Sequence, residues 1–390
     1  MTEAVVIIGS GLAGYNVARE FRKLDAETPI VVVSRDHAGF YSKPMLSNAL
    51  AGKKTAATLV MKDAEKMAGE IKARVVGGVS VNSIDTAART VSLSNGETLA
   101  YRDLVLALGA DPIRLPLQGN AADTVLSVND LDDFARFATA LDTAAHGSPV
   151  KRVAILGAGL IGCEFANDLL HRDVQATVVD LADRALSRLL PPESSARLQA
   201  KLEAQGAQFK FGVSVNSVDK SEGEHPLRLS LSDGSTLDVD LVLSAIGLKP
   251  RTDMAAAAGV RVARGIAVNR ELATNVPHVY AVGDCAEVDG QLLPYVLPLM
   301  GQARALAATL SGKPTAVSYP AMPVVVKTPA WPTVVCPPAP GAQGEWVIAQ
   351  DDEQIDARFM AGEQLLGFAL QGKAVSQRQA LAALVPPVLA

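Results

Sequence analysis

Six glycines carry the first chemical signal in this 390-residue chain. Gly9, Gly11 and Gly14 have the spacing Gly-x-Gly-x-x-Gly, in Gly9-Ser10-Gly11-Leu12-Ala13-Gly14. The spacing recurs in Gly157-Ala158-Gly159-Leu160-Ile161-Gly162. Each copy follows an unbroken apolar run (5–8 and 153–156), as in a parallel strand buried on both faces. Each is followed four residues later by a small residue, Ala18 or Ala166. Such a turn suits a pyrophosphate. The first glycine makes the tight turn, the second lets backbone approach the phosphates, and the third lets the helix lie close to the strand with its N-terminus facing the anion. One copy alone is a weak signal, but two in the same strand–turn–helix setting point to two dinucleotides on one chain.

The end of the strand after each turn reads the sugar. After the second turn, the apolar run 176–179 ends at Asp180, which can bind both ribose hydroxyls and repels a 2′-phosphate. That predicts NADH, and the nearby Arg184 is read as a solvated charge. After the first turn, the run 30–33 ends at Ser34-Arg35-Asp36, with no acid directly at the strand end. Either Asp36 reaches back, or Ser34 and Arg35 meet the adenosine; the second is preferred. Paired landmarks follow at 103–109 and 240–247, each a buried strand ending in a small-residue turn before Pro112 or Pro250. A further strand closes on Gly283-Asp284, where an acid can accept from a sugar-alcohol hydroxyl.

The elements that position these turns follow from composition and order. Apolar residues make up 49%, charged residues 20% and aromatics 4%, which excludes a disordered or collagen-like chain and suits β-α-β layers. A net charge of −5 argues against a nucleic-acid binder. Cys163, Cys285 and Cys336 are too few and too scattered for a disulfide framework or a zinc site, and the five histidines form no metal-ligand cluster. Met1-Thr2-Glu3 carries no basic segment, and no run approaches the ~18 apolar residues of a spanning helix, so no membrane insertion and a cytoplasmic location are expected.

In this order, the pieces resemble the two-dinucleotide-binding-domain flavoproteins, the FAD-dependent pyridine nucleotide oxidoreductases. Within them, Tyr41-Ser42-Lys43-Pro44-Met45-Leu46-Ser47, Gly162-Cys163-Glu164-Phe165-Ala166-Asn167-Asp168 and Met322-Pro323-Val324-Val325-Val326-Lys327-Thr328-Pro329 look like rubredoxin reductases. The resemblance implies an α/β fold of two Rossmann-like domains, the NADH domain inserted in the FAD domain, plus a small α+β C-terminal domain covering the flavin. The implied boundaries are 1–113 and 246–313 for the FAD domain, 114–245 for the NADH domain, with His146-Gly147-Ser148-Pro149 just before its glycine strand, and 314–390 for the last.

The family's FAD contacts carry over to Gly9, Ser10, Gly11, Leu12, Ala13 and Gly14 at the pyrophosphate, Ser34 and Arg35 at the adenosine, and Val81 at the adenine through its backbone. Asp284 is implied at the ribitol and Val296 near the pyrimidine. Lys43 and Lys327 are placed beside the isoalloxazine, where a cation stabilises the reduced anion; otherwise they are surface charges. Glu164 is placed where nicotinamide meets flavin, which is compatible with its simpler role as an acid favoured in a helix's first turn. Gly157, Gly159, Gly162 and Asp180 are implied for NADH. No catalytic acid or base and no metal ligand is assigned.

The same plan serves disulfide reductases, which place a thiol pair beside the flavin. Single-thiol relatives, including NADH oxidases, carry a cysteine near 41–43. This chain has neither, so electrons are expected to leave the flavin directly. The implied sequence is a hydride from NADH to FAD, then single electrons to rubredoxin, feeding an oxygenase such as an alkane hydroxylase. Lys43, Lys53, Lys54, Lys62 and Lys66, against Asp63 and Glu65, form a candidate docking face for an acidic partner, with Lys249 and Arg251 nearby; a solvated helix face is the competing account. A monomer is expected. The alternatives are an NADH:ferredoxin reductase of an oxygenase system and, in another class, an apoptosis-inducing-factor-like redox-switched binding flavoprotein, which is expected to carry long extra segments.

Overall fold

The structure is a computed structural model that describes residues 4–143 and 149–390; His146, Gly147 and Ser148 lie outside the described residues. The strand Ala4–Ile8 lies mid-sheet between parallel neighbours Ile30–Val33 and Thr98–Leu106, and Arg74–Val76 and Val279–Ala281 extend the sheet on either side. Val5, Val6 and Ile7 have no exposed surface, which explains the absence of apolar–polar alternation. Burial of such side chains contributes on the order of 2 kcal/mol each. The helix Leu12–Leu24 follows the first glycine turn and lies along the long helix Val296–Leu310 in the same core.

A second parallel sheet repeats the plan, with Gln208–Phe211, Gln175–Asp180, Arg152–Leu156 and Leu241–Ser244 in that spatial order. The helix Leu160–Leu170 follows its glycine turn. An antiparallel three-stranded unit (Val215–Lys220, Leu227–Leu231, Thr236–Val239) is appended to it. Between the two sheets the chain passes out through Ala110–Pro112 and returns through Leu248–Pro250, and these short strands pair with each other. The near-copied landmarks of the sequence are thus the two sides of one crossing.

The C-terminal part is an antiparallel five-stranded sheet, in the order Val324–Val326, Thr333–Cys336, Gln364–Gly372, Gln354–Ala361 and Glu345–Gln350. Its buried Trp331, Val335, Ile355 and Ala369 share a core with Ala185, Leu190, Leu198 and Leu202 of the second Rossmann unit. Its apolar face therefore rests on that unit, while the loop after Val326 reaches the helix Leu160–Leu170. No helix among the described residues is long and apolar enough to cross a membrane.

Candidate functional site

The two glycine turns are near-identical in space. Gly9 and Gly157 have φ of +116° and +108°, and a Cβ on Gly14 or Gly162 would lie 1.9 Å from the carbonyl oxygen of Gly9 or Gly157. Both positions therefore exclude any other residue. The middle glycines differ in a telling way: a Cβ on Gly11 or Gly159 meets nothing within 4 Å. The protein has no internal need for glycine there, and the open space above each helix N-terminus fits the close approach of a pyrophosphate.

Around the first turn, Ser10 Oγ lies 2.8 Å from Ser34 Oγ, and Ser34 donates to Asp36 Oδ1 at 2.7 Å. Asp36 Oδ1 is also 3.2 Å from Ser10 Oγ, so this acid does reach back to the turn and ties both serines to it. Arg35 is largely exposed at this corner and lies 3.9 Å from Asp111, a carboxylate that Arg251 also holds. Val79 N donates to Ser34 O, which brings the edge strand Val81–Asp85 up to the same corner. The Gly283-Asp284 corner also abuts this turn, since a Cβ on Gly283 would sit 2.7 Å from Ala13 Cβ. Gly283 N donates to Gln302 Oε1, and Gln302 Nε2 donates to Tyr319 Oη. Sequence reading missed Gln302, which at 2% exposure is the one polar side chain among the buried residues of that helix; next to Arg304 and Thr309 in the same segment it gives little signal in the sequence. Val296 opens that helix and is 39% exposed.

The lysines fall on two anchors. Lys43 Nζ is 3.7 Å from Asp284 Oδ2, and burial pushes its ammonium below the usual lysine range against the pull of Asp284. Lys327 Nζ is 2.5 Å from Glu164 Oε2, its backbone N donates to Glu164 Oε1 at 3.0 Å, and Ser47 donates to Glu164 Oε2 at 2.5 Å. Glu164 is 2% exposed, so three donors hold a carboxylate that would otherwise be costly to bury. Ser47 and Lys43 share one 3-10 segment, Lys43–Asn48. Both lysines are thereby set around the gap between the two Rossmann units.

At the second turn, Asp180 accepts from Ala158 N at 2.5 Å and Ala182 N at 2.7 Å, with its carboxylate directly beneath the glycine loop. Arg184 is bound to Asp183 and Ser187 O. The three cysteines are buried and free, and burial pushes their thiols up, to about 12 in Cys163 and about 11 in Cys285 and Cys336. They are poor thiolates, and no thiol pair exists among the described residues. No metal-ligand cluster occurs among them either.

The family described as pyridine nucleotide-disulphide oxidoreductase matches residues 3–308. The chain belongs to that family. A second family, the rubredoxin binding C-terminal domain, matches residues 316–385, which hold the five-stranded sheet. The chain is 46% identical to a rubredoxin-NAD(+) reductase of Alcanivorax borkumensis over 99% of both chains. It is also 46% identical to one from Acinetobacter baylyi, over 99% of this chain and 98% of that protein. Among solved structures, the covalent putidaredoxin reductase–putidaredoxin complex superposes with a TM-score of 0.85 at 28% identity, covering 98% of this chain and 94% of that one. Members of a family named for disulphides, these residues nonetheless include no thiol pair, so the departure read from the sequence stands in the structure.

A groove of about 390 Å³ opens beside Lys327, lined by Asn48, Val325, Pro329, Pro332, Val375 and Arg378 among others. All but Asn48 lie within the matched rubredoxin-binding region. Of the basic run, Lys62 pairs with Glu70 and Lys66 with Asp63, whereas Lys53 and Lys54 are exposed and make no ion pair among the described residues.

Proposed function

We propose that the chain is an FAD-dependent NADH:rubredoxin oxidoreductase. The observation that carries this reading is a two-turn body without a thiol pair, joined to a C-terminal domain of the rubredoxin-binding family. Bound FAD would supply the conversion between the two-electron hydride of NADH and the single electrons that a one-electron iron protein requires.

The protein's own residues bind and orient. The first turn, Gly9 to Gly14, holds the FAD pyrophosphate over its open Gly11, with Ser34, Arg35 and Val81 on the adenosine side, Asp284 at the ribitol and Val296 at the pyrimidine end. Gly157, Gly159 and Gly162 hold NADH, and Asp180 faces its ribose. Asp180 already accepts two amides, so a 2′-phosphate would meet a fixed negative charge. Lys43 and Lys327 place positive charge beside the flavin, and Glu164 sets the position of Lys327. No side chain moves a proton in a hydride transfer, so none is assigned as acid or base. Rubredoxin docks over the groove beside Lys327, and Lys53 and Lys54 steer an acidic partner toward it. A cytoplasmic location fits this use of NADH.

A ferredoxin reductase is the second reading, favoured by the superposition on a ferredoxin reductase from Rhodopseudomonas palustris, with a TM-score of 0.87 at 28% identity. The rubredoxin-binding match of the C-terminal sheet weighs against it. The direct test is the purified holoprotein under anaerobic conditions. It is expected to be yellow, to bleach with stoichiometric NADH and to bleach far more slowly with NADPH. A colourless protein, or one bleached equally by both, contradicts the assignment.

A further inference from the structure

The helix Leu160–Leu170 is buried all round from Gly162 to Leu169. Most helices that deep are apolar throughout, yet this one buries Glu164, Asn167 and Asp168 at 2%, 2% and 1% exposure. Positions i, i+3 and i+4 lie on one helix face, and each side chain leaves its own Rossmann unit. Asn167 Oδ1 accepts from Ala330 N of the C-terminal loop at 3.1 Å. Asp168 accepts from Leu50 N and Ala51 N, both at 2.8 Å, one amide on each carboxylate oxygen. Asp168 makes no ion pair among the described residues; its charge is met by these two amides. Leu50 and Ala51 lie one residue past the 3-10 segment that carries Lys43 and Ser47, after Ala49.

We propose that Asp168 is a positioning residue for the nicotinamide–flavin reaction. Its carboxylate fixes the end of the Lys43–Asn48 segment to the helix that begins at the NADH turn. The two nucleotide sites are then held in one register, with Glu164 and Asn167 extending the same joint to the C-terminal loop. A carboxylate suits this task better than an amide, since it offers two acceptors and no donor to two N–H groups side by side. The inference rests on the proposed function, because it needs the two glycine turns to bring two dinucleotides to this gap. A displacement of about 1 Å between reacting groups can cost about a hundredfold in rate.

The test is Asp168→Asn in the FAD-loaded full chain, measured by stopped flow against NADH and separately against dithionite. The variant keeps the shape but turns an –NH₂ toward a peptide N–H. The limiting rate of flavin reduction per bound FAD is expected to fall at least tenfold. The NADH concentration giving half that rate should change less than about twofold, and dithionite reduction should be unchanged. A purely structural role would instead lower stability and FAD content, leaving the limiting rate per bound FAD intact; that result overturns the proposal. If Asp168→Asn does not retain FAD, Asp168→Glu keeps the charge but displaces it by one methylene. An unchanged limiting rate there overturns the proposal equally, and a fall supports it. A wild-type flavin that NADH cannot reduce would remove the functional reading and this role with it.

Discussion

The two turn helices began as the same sentence in the sequence and ended with different tasks. The helix Leu12–Leu24 packs its buried Ala13, Tyr15, Val17, Ala18 and Phe21 into the first unit's own core. Its polar bonds stay within the same unit: Tyr15 Oη donates to Ala38 O, and Asn16 Nδ2 donates to Leu12 O. The helix Leu160–Leu170 instead sends Glu164, Asn167 and Asp168 across to residues 47–51 and 327–330. A repeated phosphate-binding unit can therefore serve as a self-contained anchor in one copy and as a three-way joint in the other. What distinguishes them is which face of the helix is given buried polar groups.

The largest effects should come from the turns themselves. Gly14→Ala puts a Cβ 1.9 Å from Gly9 O, and Gly162→Ala does the same against Gly157 O. The first should yield protein without FAD. The second should remain yellow and be reduced by dithionite while losing at least a hundredfold in reduction by NADH. Absorbance at purification and stopped-flow rates read the pair. If both lose flavin equally, the copies are not independent sites and the comparison fails.

Glu164→Leu tests the joint. It leaves Lys327, its amide and Ser47 without their shared acceptor, which should cost about 2 kcal/mol in denaturant unfolding, less than a fully buried pair because Lys327 is partly exposed. The corresponding loss from Asn16→Ala in the first helix, whose bond is local, should be about 1 kcal/mol. Equal losses would erase the distinction.

Much of this was legible in the sequence. Both turns, the strands before them, the acid at Asp180 and the absence of a thiol pair all follow from local rules, and the structure carries each of them. The joint was not legible. Of the polar side chains in the stretch 162–168, only Glu164 was given a role, because the reach of Asn167 and Asp168 to Ala330 and Leu50 depends on two other units docking against that face. Asn167 and Asp168 on the same helical face as Glu164, in an otherwise apolar run, were the available signal. Asp36 was weighed against Ser34 and Arg35, but spacing could not show that both serines would be tied to it. Gln302 is likewise explained only by Gly283 and Tyr319, which are separated from it in sequence but adjacent in space.

Smaller effects probe the open sides of each unit. Asp180→Ala removes the charge beneath the second turn and should lower the NADH-over-NADPH ratio of kcat/KM about tenfold, partly by loosening Ala158. A ratio that stays unchanged would mean that another group reads the ribose. The smallest change is expected from Lys53→Gln with Lys54→Gln. The apparent KM for rubredoxin should rise two- to threefold at low salt and converge on wild type as salt is raised, because steering between exposed charges is screened. A shift that persists at high salt would make these lysines contacts and not steering charges.

The central claim is that electrons leave this protein directly to a rubredoxin, without a thiol relay. Stopped-flow reoxidation of the NADH-reduced holoprotein by rubredoxin, by a plant-type ferredoxin and by oxygen tests it most directly. Fast reoxidation by rubredoxin, with the other two at least tenfold slower, is the predicted result. Fast reoxidation by the ferredoxin or by oxygen, with rubredoxin slow, would contradict it.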